Sequence, residues 1–257
     1  MSRPAVVGIA NAAVALALAP AAGLVAVGDD QAVPVTVAVV GDVSARTPAA
    51  SALVDEVNTD SQVGLVLQAG RLDGSEAVLD RTATLYDRFD DPVALMPGGG
   101  SRVRRLLFAD VGWTAGAARR VTTQGHQNEH AEHLRFLRSD VVFATVCPDD
   151  EGAALDWVDE GFAEAGMRDA SGVVITMPTA PDASAVGDRI VGQARHFGLP
   201  VLLIHGGRGL SESEQGYAGV PNLTRLQTFG GTAERWVELR IEPHSREVFS
   251  WSSRTVG

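Results

Sequence analysis

Lysine is absent from this 257-residue chain: all 21 basic residues are arginine. That excludes Schiff-base lysine chemistry and the lysine of a phosphate-binding P-loop. The simplest reading of the bias is a high-GC genome that favours arginine codons. Cysteine occurs once, as Cys147. No intrachain disulfide can form, and four-cysteine zinc sites are excluded. Positive charge is in deficit, with a formal net charge of −11. The balance argues against nucleic-acid binding and against a basic membrane-surface patch. A stable membrane span is not expected either. The most apolar stretch, residues 1–28, is built of weakly hydrophobic alanine and glycine and is interrupted by Pro20.

What is present is enough for a substantial core: 45% of residues are hydrophobic and 21% charged. Residues 1–28 read as a secretory signal peptide. Arg3 precedes a small-residue apolar stretch, and both Ala17-Leu18-Ala19 and Ala19-Pro20-Ala21 suit cleavage before the polar Asp29-Asp30-Gln31. A buried N-terminal helix is the competing reading, because one positive charge is a thin start for a leader. Cleavage would make the protein secreted or extracytoplasmic, with residues 29–257 as a single domain.

Beyond the leader, buried apolar runs at 34–42, 63–70, 91–100, 140–150, 172–178 and 200–206 read as strands. Helical patterns fall at 47–60, with Thr47 as N-cap and Pro48 first in the helix, at 75–89, with Ser75 as cap, and at 101–110, 152–166 and 182–198. In 152–166 the spacing turns Leu155, Trp157, Val158 and Phe162 inward. Residues 111–138, rich in glycine and histidine, read as a loop. The tail alternates apolar and polar residues, as short antiparallel strands do, and predicts a C-terminal β-meander. The class is α/β, with a mixed sheet or two packed sheets covered by helices.

Ligands of open α/β sheets lie at the carboxyl ends of the strands. Here those ends carry Gly41-Asp42-Val43-Ser44, Gly70-Arg71, Gly98-Gly99-Gly100-Ser101, Cys147, Pro178 and His205-Gly206-Gly207-Arg208. In this order and spacing, and in "ALDWVDEGFAEA", "PVLLIHG", "PNLTRLQTFG" and "RWVELRIEP", the chain from about Val35 to Trp251 resembles the calcineurin-like metallophosphoesterases. The likeness is to a secreted bacterial branch. The resemblance implies a two-sheet αββα sandwich. It also implies, for ordinary members, two metal ions and hydrolysis of phosphate esters by a metal-bound hydroxide.

The ligand motifs do not carry over. Of the family's Asp-x-His, Asp42 stands but Ser44 replaces the histidine. The Gly-Asp whose aspartate bridges the metals is Gly70-Arg71. The third block is Gly98-Gly99-Gly100-Ser101, with no ligand or catalytic acid. The family's middle-strand histidine falls around Cys147 or Pro178. In the closing block His205 remains, and Gly209 stands where the last histidine belongs. A two-metal site needs several ligands and a bridging carboxylate, its ions about 3.5–4 Å apart. Asp42 and His205 are vestiges of that set, and Arg71 places a permanent cation where the bridging carboxylate should be. No cofactor is expected on this reading.

The remaining polar features are weaker signals. His126, His130 and His133 would share one face of a helix, and "HQNEH" matches a His-x-x-Glu-His zinc-protease pattern, with Glu129 as base. A solvated loop or short helix is the simpler reading. Cys147 is flanked by Asp149 and Asp150, which raise a thiol's pKa and make it inert. Ser101 lacks the glycine two residues on that a nucleophile turn requires. Asp42 and His205 are candidates for a mutual hydrogen bond.

Arg71 and Arg208 sit on strand ends that converge in the family fold. The turn at Gly99, Gly100 and Ser101 precedes a helix, so its free N–H groups share a direction. Together they predict an anion-binding pocket, against the alternative that Asp42 or Asp73 neutralises the arginines. The leading expectation is therefore a non-catalytic protein of this fold that binds an anionic or phosphorylated ligand or a protein partner. One rival is a phosphoesterase rebuilt around one divalent ion with Asp42, His205 and the 126–133 histidines. Another is a structural subunit.

Overall fold

The computed structural model describes residues 32–43, 48–72, 74–96, 98, 103, 106–107, 114–115, 124–127, 130–207, 209–230 and 234–257. The expected leader, Ser44, the Thr47 cap, Asp73, Gly99, Gly100, Ser101, Glu129 and Arg208 lie outside them.

The first half builds β1 (Val35–Val40), α1 (Pro48–Thr59), β2 (Val63–Ala69), α2 (Glu76–Tyr86), β3 (Val93–Met96) and the short β4 (Thr114–Ala115). The second builds β5 (Gln124–Gln127), β6 (His130–Arg138), β7 (Val141–Thr145), α3 (Glu151–Met167), β8 (Gly172–Met177), α4 (Ala185–Phe197) and β9 (Val201–His205). β10 (Glu212–Gln215), β11 (Leu223–Gln227), β12 (Arg235–Ile241) and β13 (Phe249–Thr255) follow.

The local reasons are conventional. α1 buries Ala50, Leu53, Val54 and Val57, the i, i+3, i+4, i+7 stripe of an amphipathic helix. Asp150 caps α3 by accepting from the Ala153 N–H at 3.1 Å. Ser184 caps α4 through the Gly187 N–H, and Gly198 ends it in the left-handed region at φ 74°. Ser75 occupies the N-cap of α2, but its hydroxyl makes no capping bond; its carbonyl opens the helix instead. Leu155, expected inside, is only partly covered, whereas Trp157, Val158 and Phe162 are buried.

The strands form two mixed sheets, ordered β13-β12-β1-β2-β3-β4 and β10-β11-β9-β8-β7-β6-β5. β1, β2 and β3 run parallel in the first; β7, β8, β9 and β11 run parallel in the second. Three apolar clusters give the layering. Leu53, Leu79 and Phe89 join α1 and α2 to the outer face of the first sheet. Leu67, Phe143 and Ile204 fill the space between the sheets. Trp157, Ile190 and Leu203 join α3 and α4 to the outer face of the second. The result is an αββα sandwich, as expected.

Two expectations are corrected. Residues 111–138 are not a loop throughout: β5 and β6 pair with each other and with β7. The tail is not a self-contained meander either. Leu223–Gln227 runs parallel to β9 in the second sheet, while β12 and β13 pair antiparallel in the first, with β12 lying against β1. Among the described residues, no helix is long and apolar enough to cross a membrane.

Candidate functional site

The parallel strands of both sheets end at the same edge of the sandwich, and they meet there in pairs. A Cβ placed on Gly41, after β1, would lie 1.8 Å from the Phe229 carbonyl oxygen, after β11. One on Gly206, after β9, would lie 2.5 Å from the Gly70 Cα, after β2, and 2.6 Å from the Pro178 oxygen, after β8. One on Gly98, after β3, would lie 2.6 Å from the Pro178 Cβ. Glycine is therefore required at Gly41 and Gly206 so that backbone can approach backbone, and at Gly98 so that the Pro178 ring can fit against the chain. Thr228 bonds across the seam, its hydroxyl to the Ala69 carbonyl at 3.3 Å. The fully buried Gln68 ties β2 to β3, donating to the Gly70 carbonyl at 2.7 Å and accepting from the Met96 N–H at 3.0 Å.

The structure separates Asp42 from His205. His205 follows Val201 and Leu203, so it faces the α3–α4 layer. It is 1% exposed, and its Nδ1 donates to the Gly206 carbonyl at 2.8 Å. Burial holds it below the usual imidazole range. It is therefore neutral near pH 7, and its buried Nε2 makes no hydrogen bond. The expected bond to Asp42 does not form. The carboxylate that bears on His205 is Asp182, which already accepts from the Tyr217 hydroxyl at 2.8 Å and pairs with Arg225 at 3.0 Å. Asp42 lies on the α1–α2 side, where it and, above all, burial raise the phenol of Tyr86. That phenol donates to the Val43 carbonyl at 3.2 Å.

Arg71 is exposed, with its stem beside Gly98: its Cγ lies 3.7 Å from where a Gly98 Cβ would be. Its guanidinium makes no ion pair among the described residues. Neutralisation by Asp42, one of the two acids considered, is not observed; Asp73 is outside the described residues.

The histidine segment lies on strands. His133 is fully buried against Trp157 of α3, ring centroids 6.0 Å apart. Its Nδ1 is 2.5 Å from Gln127 Oε1, and its Nε2 is 3.1 Å from the Cys147 carbonyl. Both nitrogens are thus spent within the fold, which removes His133 as a metal ligand and contradicts the solvated-loop reading. His130 stacks on His133 at 5.4 Å, its ring 3.7 Å from both Glu132 and Asp150. β6 and β9 are separated by β7 and β8, so His133 and His205 lie about 14 Å apart, three strand spacings. One ion cannot be shared between them. Cys147 is inert as expected, its thiol pushed up to about 12, but burial is the main cause and the carboxylates of Asp149 and Glu132 are secondary.

A divalent metal can be tested against this donor set. At the strand ends His205 has no second donor beside it, because Asp42 is on the other side and Asp182 is engaged. No group of three or more histidine, cysteine, aspartate or glutamate residues able to hold a metal occurs among the described residues. The described side chains do not fit the ion.

No protein-family profile matches the sequence, and no curated protein is significantly similar to it. The αββα sandwich is shared with solved structures. GAP50, the anchor in the inner membrane complex of Plasmodium, superposes with a TM-score of 0.52 at 10% identity, over 87% of this chain and 89% of that one. A Streptococcus pneumoniae protein described as a predicted phosphoesterase gives 0.33 at 9% identity, over 86% and 99%. Vps29 of Chaetomium thermophilum gives 0.29 at 10%, over 90% and 100%. At such identities the likeness concerns the fold alone.

Proposed function

We propose that this chain binds a phosphate-bearing anion at its strand-end edge and does not hydrolyse it. The observation that carries this reading is Arg71, an exposed guanidinium without an ion pair among the described residues, placed beside Gly98 on the edge where this fold gathers its ligands. A guanidinium offers a planar fork of donors that matches phosphate oxygens. The separation of Asp42 from His205 supports the non-catalytic part: among the described residues of this edge, the two do not pair to activate water. Arg208, Gly99, Gly100 and Ser101 are proposed to complete the pocket. That the same fold serves as an anchor in Plasmodium is consistent with a binding role.

Thermal unfolding with inorganic phosphate and a phosphomonoester tests the reading. At about a hundredfold excess over Kd, the wild type is expected to gain roughly 5–10 °C. Arg71→Ala, and Arg71→Ala with Arg208→Ala, should lose that gain. An unshifted wild type overturns the anion site. Stoichiometric zinc, manganese or iron in protein purified without chelator, together with phosphodiester turnover, overturns the non-catalytic reading.

A further inference from the structure

His133 poses a hydrogen-bonding problem with few solutions. Its Nε2 faces a backbone carbonyl, that of Cys147, which can only accept. Its Nδ1 faces Gln127 Oε1. The Gln127 amide could be turned to offer its NH2 to a bare Nδ1, but the other end of that amide is committed. Gln127 Nε2 donates to the Ala153 carbonyl in the first turn of α3 at 3.0 Å. Turning the amide would set oxygen against oxygen there. The 2.5 Å approach of Nδ1 to Oε1 is too close for two lone pairs and suits a charge-assisted bond.

We infer that His133 carries a proton on both ring nitrogens, and that this buried imidazolium fastens edge strand β5 to β6, to the end of β7 and, through Gln127, to the start of α3. The surroundings can accommodate the charge. The Trp157 face lies parallel on one side, within 15°. From β6, the neighbours are His130, stacked at 5.4 Å, and the buried Glu132. Arg135, two residues on, has its guanidinium 4.1 Å from the Trp157 ring. From the segment after β7 come Asp149, the Asp150 cap and the Cys147 thiol, which is pushed up to about 12 and so stays neutral. From β5 comes the neutral Gln127. The carboxylates outnumber the one other permanent cation, Arg135.

Nitrogen-15 NMR of the histidine rings decides the protonation state directly. At pH 7 one of the six imidazoles should show two protonated ring nitrogens and slow solvent exchange. Single variants of the other five should leave that signal in place, so its assignment does not require a folded His133 variant. A His133 ring with one proton at pH 7 overturns the proposal. Gln127→Leu, at a half-buried edge position, should release the Nδ1 proton and lower the hydrogen-exchange protection of β5 amides about tenfold. The amides of β8 and β9 should be unchanged. Undiminished protection of β5 overturns the fastening role.

Discussion

His205 shows what burial does to a residue that looks like a ligand in the sequence. The apolar run before it delivers the ring to a strand end, yet alternation along β9 turns it to the helix side, away from Asp42. Its cost to the fold appears on the acid side. A histidine held below the usual range stays neutral in the fold, while the unfolded chain takes up a proton near pH 6.5. Stability attributable to His205 is therefore complete above pH 6.5 and falls as the pH drops below it. In urea titrations between pH 7 and 5, His205→Gln should lose less stability than the wild type. Its amide can still donate to Gly206, so the neutral-pH midpoint should change little. An identical acid dependence would show that another group controls it.

At the scale of elements, the periodic signals translated well. The α1 stripe, the Asp150 and Ser184 caps and the buried parallel strands all follow from spacing and turn chemistry. Two elements did not. β6 reads "HAEHLRFLR", polar on both faces, so its pattern resembles a solvated segment. It is a strand because Leu134 and Phe136 enter the space between the sheets while Trp157 covers His133 and Arg135 on the other side. That cover comes from a helix remote in sequence. β11 alternates like an antiparallel tail strand, but it lies parallel to β9, and only β10 beside it runs antiparallel. The caps can be tested singly. Ser184→Ala removes the acceptor of the Gly187 N–H and the donor to the Pro181 carbonyl. It should cost about 1 kcal/mol, a fall of roughly 2–4 °C in Tm, read by calorimetry.

For the whole molecule, the decisive feature is the seam where the two sheets' strand ends close on each other. Gly206→Ala would push a methyl into the Gly70 and Pro178 backbones, which cannot swing aside as a side chain can. The expected loss is about 1–3 kcal/mol, the range for overpacking, seen as a lower urea midpoint. Gly192→Ala is the control. It sits in α4 with nothing within 4 Å of the new methyl, and should gain about 0.5–1 kcal/mol from helix propensity. Equal effects at the two glycines would contradict the seam.

The sequence by itself determined the α/β class, the order of buried strands and amphipathic helices, and the glycines at the strand ends. These depend on residue type and short-range spacing, which a linear reading contains. Only the tertiary structure decided that Asp42 and His205 face apart, that Arg71 stands exposed, that the histidine segment is a covered strand and that the tail divides between two sheets. Those outcomes depend on which distant surface packs against each residue, and side-chain polarity alone does not specify that partner.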